Sequence, residues 1–250
     1  MTGVLPIALG KATRIVQTLL NAGKEYVCLM YLHKPVDEKD IYKVAEKFTG
    51  KIKQLPPIKS AIKRVLRTRE IYYLNILEIN KQEVLFQIGC EAGFYVRKFC
   101  HDFGKELGTG AHMSQLIRTK AGPFTDKDWH SLHDLKDAYE FYKEGNEKEL
   151  RKIILPIEEA VKHLPKIWIV DSAVDSICHG ASLNIPGISK LNNLNENETI
   201  AIMTLKDELV ALGNSVLNSG EIMEKEKGLA VKTKKVFMDR NIYPKFLSKK

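Results

Sequence analysis

Hydrophobic positions along the chain change period several times, and each change predicts an element. After Thr2-Gly3 an apolar stretch runs to Leu9, and Ala12, Ile15 and Leu19 then recur at helical spacing until Gly23 ends the pattern. Residues 26–32 (YVCLMYL) form an apolar run of strand length. Ile41, Val44, Ala45 and Phe48 fall at i, i+3, i+4 and i+7, which predicts an amphipathic helix capped by Asp37 or Asp40 and closed by Gly50. Residues 51–69 read as a loop leading into a strand, because Pro56-Pro57 bars a regular helix or a central strand. Residues 71–79 and 83–88, separated by Asn80-Lys81-Gln82, read as a β-hairpin. Val96, Phe99, Cys100, Phe103 and Leu107 then make one apolar helical stripe, with Arg97 and His101 sharing another face and Gly108 and Gly110 stopping the helix. Residues 113–124 alternate loosely and return to a sheet.

Beyond this point the texture changes. Residues 126–160 are acidic and helical. After Pro165 the chain switches to short strands punctuated by Gly180, Pro186-Gly187, Gly213, Gly220 and Gly228, which predicts a small β-barrel. The expected organisation is α+β: a first domain over residues 1–160 and a second over 161–250.

Composition narrows the class without naming a reaction. The chain has 250 residues, 44% hydrophobic and 28% charged, which excludes general disorder and a disulfide scaffold. No apolar run is long enough to span a bilayer, and residues 1–11 lack the basic start of a signal peptide. The net charge of +8 is unevenly placed. Residues 1–125 carry 20 basic and 11 acidic side chains, residues 126–160 carry 6 and 10, and residues 161–250 carry 13 and 10. A basic front suits a polyanion-binding surface. Cys28, Cys90, Cys100 and Cys178 show no CxxC spacing, so they predict neither a zinc site nor secreted disulfides, and they fit a reducing cytoplasm.

Three features stand out as candidate chemistry. Residues 51–69 hold seven basic side chains (Lys51, Lys53, Lys59, Lys63, Arg64, Arg67 and Arg69) and no acidic one; each could neutralise a phosphate, although a solvated loop also carries such charge. Arg97, just after Gly93-Phe94-Tyr95, could pair with a buried carboxylate or a substrate phosphate, or could be an ordinary surface arginine. Tyr26 opens an apolar strand, where its ring could stack on a base or simply fill the core. The histidines form no HxxxH or HExxH pair, and no P-loop, GxGxxG or GxSxG is present.

Several stretches together resemble the TruB-type pseudouridine synthases, in the archaeal–eukaryotic dyskerin branch that serves box H/ACA ribonucleoproteins. They are TGVLPIAL from Thr2, GKEYVCLMYL from Gly23, QLPPIKSAIKR from Gln54, CEAGFYVRKFCHDFGKEL from Cys90, GTGAHMSQLIR from Gly108 and TKAGPF from Thr119. CHGASLNIPGI from Cys178, KGLAV from Lys227 and VFMDRNIYP from Val236 resemble a PUA domain. The resemblance implies a catalytic domain with a mixed, mainly antiparallel sheet, followed by a PUA β-barrel. It implies isomerisation of uridine to pseudouridine in the T loop of tRNA, in guide-directed rRNA, or in both, with no metal or diffusible cofactor. By resemblance Tyr26 stacks on the target base and is a candidate general base, Arg97 pairs with a nucleophilic aspartate, and Leu116 lines a dry pocket for the flipped uridine. Lys59, Lys63 and Arg64 fall where the family's basic strand–loop approaches RNA. Gly180, Ala181, Lys227, Gly228, Leu229, Ala230 and Val231 fall on the PUA surface that binds guide RNA. The implied partners are RNA and the small zinc-ribbon, glycine/arginine-rich and kink-turn-binding proteins of the H/ACA particle.

One departure stands out. The family aspartate lies in a GTLDPxxTGVLP-like motif, and here Thr2-Gly3-Val4-Leu5-Pro6 matches only its second half. The aspartate would fall just upstream of Met1. The expectation is that a longer native chain supplies it and that these 250 residues alone do not turn over. The alternative is a non-catalytic RNA-binding scaffold derived from such a synthase.

Overall fold

The computed structural model describes residues 2–57, 63–127 and 129–245. They form two compact units, one falling within residues 2–7 and 17–153, the other within residues 8–16 and 154–245.

The first unit is built on strand β2. In chain order it holds β1 (Thr2–Gly3), α1 (Val16–Asn21), β2 (Lys24–Leu32), α2 (Glu38–Phe48), β3 (Gly50–Gln54), β4 (Arg67–Asn80), β5 (Glu83–Cys90), α3 (Val96–Glu106), β6 (Ala111–Ala121), β7 (Phe124–Thr125), α4 (Leu132–Lys143) and α5 (Lys148–Ile153). The sheet order is β1-β6-β2-β5-β4-β3, with β7 added to β6. Every pairing is antiparallel except β1 with β6. The β4–β5 hairpin turns at Lys81, which takes a positive φ of 54°.

Local chemistry explains the helices. Asp37 is the cap of α2, its carboxylate accepting from Lys39 N at 3.0 Å. Ser131 and Asp134 form a reciprocal capping box on α4. Gly108 and Gly110, both at φ 72°, end the α3 segment as expected. The first apolar repeat gives less helix than its spacing predicts: a 3₁₀ turn over Gly10–Ile15, then only Val16–Asn21 as α-helix.

The basic stretch is also more ordered than a loop. Gly50–Gln54 is a strand paired with Arg67–Ile71, with Ile52 opposite Arg69 and Gln54 opposite Arg67. Its alternation, with Gln54 buried and Lys51 and Lys53 exposed, is a β signal that the following prolines masked.

One face of the β2 neighbourhood is the core. Cys28, Met30 and Leu32 of β2, Phe86 and Ile88 of β5 and Ile41 of α2 are fully buried together with Phe99 and Phe103 of α3. Phe99 is the hub, with its ring 5.4–6.0 Å from those of Phe48, Phe86, Phe94 and Phe103.

In the second unit, β8 (Lys166–Ile169), α6 (Asp171–Cys178), β9 (Leu183–Asn184), β10 (Ile188–Leu191), β11 (Thr199–Met203), β12 (Leu209–Ser215), α7 (Ser219–Glu224) and β13 (Leu229–Val236) follow one another. They make a six-stranded sheet ordered β10-β8-β11-β12-β13-β9. The short strands agree with the sequence reading, but α6 and α7 do not. Val174, Ile177 and Cys178 on one side of α6, and an Asn218–Glu221 capping box on α7, are helical signals that the surrounding glycines and prolines obscured.

Phe99→Ala is expected to destabilise the first unit by about 3–5 kcal/mol, because it removes a buried ring that nothing else can replace. Denaturant unfolding of the variant would read this as a lower midpoint.

Candidate active-site face

The face that carries Tyr26 is set by register. Tyr26 lies on the same side of β2 as Cys28 and Met30, opposite Arg118 of β6, while Cys28 lies opposite Leu116. Tyr26, Leu116 and Arg118 therefore share one face at one end of the central sheet. Cys100 of α3 sits over Cys28, with the two Sγ atoms 3.7 Å apart, and α3 packs chiefly on β6. Because β5 ends at Cys90, opposite Lys24 of β2, the first turn of α3 and its Arg97 lie at this same end.

Arg118 is the tie at the site. Its Nε donates to Val4 O at 2.6 Å, Val4 N donates back to Arg118 O at 2.8 Å, and its side chain hydrogen-bonds the Tyr26 phenol. β1 lies against it so closely that only glycine fits. A Cβ on Gly3 would come within 2.3 Å of Arg118 O, and Gly3 has a φ of 120°. This is a physical reason for glycine in the Thr2-Gly3 pair. The sequence reading quoted Arg118 within a matching stretch but gave it no role, since no pattern signals a side chain that bridges three strands.

The entry to α3 is fixed by Gln54. This buried amide donates to Tyr95 O at 3.3 Å and accepts from Tyr95 N at 3.0 Å, pinning the residue at the helix cap. Arg97 and Lys98 then occupy the first turn, which holds no acidic residue. That is the positive end of the helix dipole, so the arrangement suits an anion there. Lys98 pairs with Asp102. Arg97 is exposed and makes no ion pair among the described residues, so the side chain that the resemblance pairs with an aspartate faces solvent.

The titrating groups are tuned by burial. Burial pushes the Tyr26 phenol above its usual value, the nearby Cys90 adds to this, and Arg118 offsets only part of it. Such a phenol stays protonated at neutral pH, which runs against a base role and suits stacking or hydrogen bonding. Burial likewise lowers the Lys24 ammonium, with Arg118 adding to the effect, while Lys24 Nζ donates to the carbonyls of Leu19, Leu20 and Ala22 at 2.6–3.2 Å. On the other face, burial pushes the Glu25 carboxyl up, but hydrogen bonds from Thr119, Tyr73 and Gln87 outweigh it and hold the group below its usual value. Cys90 is raised to about 12 by burial, and Cys100 is pushed up by its contact with Cys28 and by burial. All four cysteines are free and buried.

The other expected contacts are distributed as follows. Lys63 and Arg64 are exposed, and Lys59 lies outside the described residues. Gly180 (φ 91°) and Ala181 turn out of α6 and meet β13, where Thr233 Oγ1 donates to Ala181 O at 2.7 Å. Lys227 and Gly228 stand exposed at the other end of the β9–β13 pairing, where Gly228 O accepts from Ile185 N. Leu229 is partly exposed. Ala230 and Val231 are a correction: their side chains are fully buried in the second core, so RNA could reach only their backbone. Among the described residues no group of three or more His, Cys, Asp or Glu could hold a metal ion, and no helix is long and apolar enough to cross a membrane.

Two measurements follow from this geometry. Gly3→Ala is expected to unpair β1 from β6, read as faster amide exchange at Val4, with little change elsewhere. Iodoacetamide at pH 8 is expected to leave Cys28, Cys90 and Cys100 unmodified in the folded protein and to label them after denaturation, as mass spectrometry would show.

Comparison with known proteins places this geometry in a family. Residues 1–96 match the TruB family pseudouridylate synthase N-terminal domain, residues 97–162 the tRNA pseudouridylate synthase B C-terminal domain, and residues 165–237 the PUA domain. A probable tRNA pseudouridine synthase B of Pyrococcus horikoshii is 56% identical over 248 residues, covering 98% of this chain and 74% of that protein. One from Methanosarcina barkeri is 54% identical over 252 residues, covering 100% of this chain and 75% of that protein. Among solved structures, a Cbf5-Nop10-Gar1 complex matches with a TM-score of 0.94 at 55% identity, covering 98% of this chain and 75% of the matched chain. An H/ACA ribonucleoprotein bound to a substrate RNA containing 2'-deoxyuridine matches at 0.90 and 54% identity, covering 97% and 74%. The chain belongs to the TruB family of pseudouridylate synthases, with a PUA domain at its carboxyl end.

Proposed function

We propose that this chain binds the target uridine of an RNA on the face shared by Tyr26, Leu116 and Arg118, and isomerises it to pseudouridine when an aspartate is delivered beside Arg97. The observation that carries this reading is the parallel register of β1, with Thr2 beside Ile117 and Gly3 beside Arg118. This register seats the TGVLP half of the motif beside Arg118, at the Tyr26 end of the sheet, so a carboxylate from a GTLDP-like segment joined to it would need only a short reach to α3, which presents Arg97 in an acid-free first turn.

In this reading each residue has a limited task. Tyr26 stacks on the extruded base with its phenol protonated, and Leu116 helps exclude water. Arg118 orients Tyr26 and holds β1, and Arg97 fixes the aspartate for attack at C1′, which breaks the C1′–N1 bond and frees the base. The base then turns, C5 bonds to C1′ as the carboxylate leaves, and the proton lost from C5 is balanced by one taken up at N1. Lys59, Lys63 and Arg64 would hold phosphates near the target, while Gly180, Ala181, Lys227, Gly228 and Leu229, with only the backbone of Ala230 and Val231, would grip guide RNA. The relatives' assembly with Nop10, Gar1 and RNA supports the same partners for this chain. The free thiols suit a reducing, cytoplasmic setting. In this reading the substrate is a stand-alone tRNA, a guide-directed RNA, or both.

The test compares the 250-residue chain with one extended upstream by a GTLDP-like segment, on a T-loop RNA and on a guided target, scoring pseudouridine by carbodiimide-dependent reverse-transcription stops. The extended chain is expected to turn over and the 250 residues to bind RNA without turnover. Arg97→Ala should cut turnover of the extended chain by roughly 100-fold or more, while changing RNA affinity of the shorter chain by less than about twofold. Equal effects in both would refute the Arg–Asp pairing. RNA binding without turnover in the extended chain would instead support the non-catalytic scaffold.

A further inference from the structure

The face of the first unit's sheet that points away from α3 carries a polar cluster centred on Glu25, the chain neighbour of Tyr26. Its carboxylate is held from three strands. Thr119 Oγ1 of β6 donates to Glu25 Oε1 at 2.6 Å, and the Tyr73 hydroxyl of β4 donates to Oε2. Gln87 of β5 adds a third hydrogen bond. One side chain on β2 is therefore bonded to β4, β5 and β6.

The reach from β4 needs a special position on β5. Gly89 lies between the two partners, opposite Glu25 on one side and opposite Tyr73 on the other. The Tyr73 ring crosses it, and a Cβ at Gly89 would come within 2.3 Å of that ring. A side chain there would lift Tyr73 off Glu25. Protonation suits the arrangement. Burial and the Glu25 carboxylate push the Tyr73 phenol up to about 12, so it stays a donor, while the same bond helps to keep Glu25 ionised.

On the β6 side the hold falls on an irregularity. Lys120 stands opposite Glu25 and Arg118 opposite Tyr26, so Thr119 between them is an extra residue, a β-bulge. Its hydroxyl is tied to Glu25, and its carbonyl accepts from Asp126 N at 2.9 Å. The bulge decides which way Arg118 faces. In unbroken pairing Thr119 would stand opposite Tyr26, and Arg118 would stand opposite Val27 and point to the far face. We propose that Glu25, with Tyr73 and Thr119, is a positioning cluster for the uridine site: it locks the bulge at Thr119 and so keeps Arg118 on the Tyr26 face. All three lie on the opposite face of the sheet, so they act through Arg118 and Tyr26 rather than on the base. This role rests on the reading of the Tyr26–Leu116–Arg118 face as the uridine site.

The test has two readouts. In the 250-residue chain, isotope-labelled at the tyrosine Cζ, NMR reports the Tyr26 phenol, assigned by the signal lost in Tyr26→Phe. Glu25→Leu and Thr119→Val are expected to shift that signal as the Arg118 bond is lost. Glu25→Gln should restore it, since its amide can still accept from Thr119 and hydrogen-bond Tyr73. In the chain extended upstream, Glu25→Leu and Thr119→Val should each slow single-turnover pseudouridine formation by roughly 30-fold, with RNA affinity changed less than about twofold. The double variant should be within about twofold of either single one, because both break one tie. Glu25→Gln should recover to within about threefold of wild type. The control Glu106→Gln, which removes the exposed ion pair with Lys47 at the far end of α3, should change neither readout. An unmoved Tyr26 signal in Glu25→Leu, or a rate loss that Glu25→Gln leaves unrepaired, would overturn the positioning role alone. Should Glu25→Leu fail to fold, Thr119→Val and Tyr73→Phe, each removing one hydroxyl, decide the matter. Extended wild type without turnover would overturn the uridine reading, while the Tyr26 signal would still decide whether Glu25 holds Arg118 in place.

Discussion

Strand β2 pairs with β5 on one side and β6 on the other along its whole length, and this double pairing orders the rest of the first unit. A strand flanked on both sides cannot slip register without moving its whole inward row to the wrong face. Tyr26, Cys28, Met30 and Leu32 are therefore fixed as one row, and α3 covers it through Phe99, Cys100 and Phe103. Leu116 and Arg118 reach Tyr26 because β6 is zipped to β2, and β1 reaches them because β6 has an outer side left to fill.

Electrostatics then acts on a scaffold already set. Lys24, Arg118 and the first turn of α3 concentrate positive charge at one end of the sheet. Burial raises the Tyr26 phenol and lowers the Lys24 ammonium, and no carboxylate contributes to either shift. Glu25, the acid closest in sequence, points to the opposite face and is occupied by Thr119 and Tyr73. The end of the sheet is thus chemically prepared for an anion, whether a carboxylate or a phosphate.

The second unit solves a different problem. Its core is an apolar sheet interior of Ile167, Ile169, Ile200, Ile202, Val210 and Ala230. Its chemistry lies in turns and strand ends, where glycines at positive φ such as Gly180 and Gly228 open backbone to solvent. Burial of Ala230 and Val231 marks the limit of reading contacts from a motif, because a binding stretch on a strand alternates between surface and core.

The sequence by itself determined the element types wherever period was strong: the β2 run, the α2 and α3 stripes, the β4–β5 hairpin and the Asp37 cap. It also carried the family, through short stretches in collinear order. Where glycine and proline broke up the pattern it misjudged β3, α6 and α7, since local punctuation outweighs weak periodicity over five to eight residues. Only the tertiary structure decided that Gly3 must be glycine, that Gln54 pins Tyr95, that Arg118 ties Tyr26 to β1, and that Arg14 lies over the Phe237 ring. These are contacts between residues about 40 to more than 200 positions apart. Spacing along a chain reports which side of its own element a residue faces, and the packing of elements decides what that side meets.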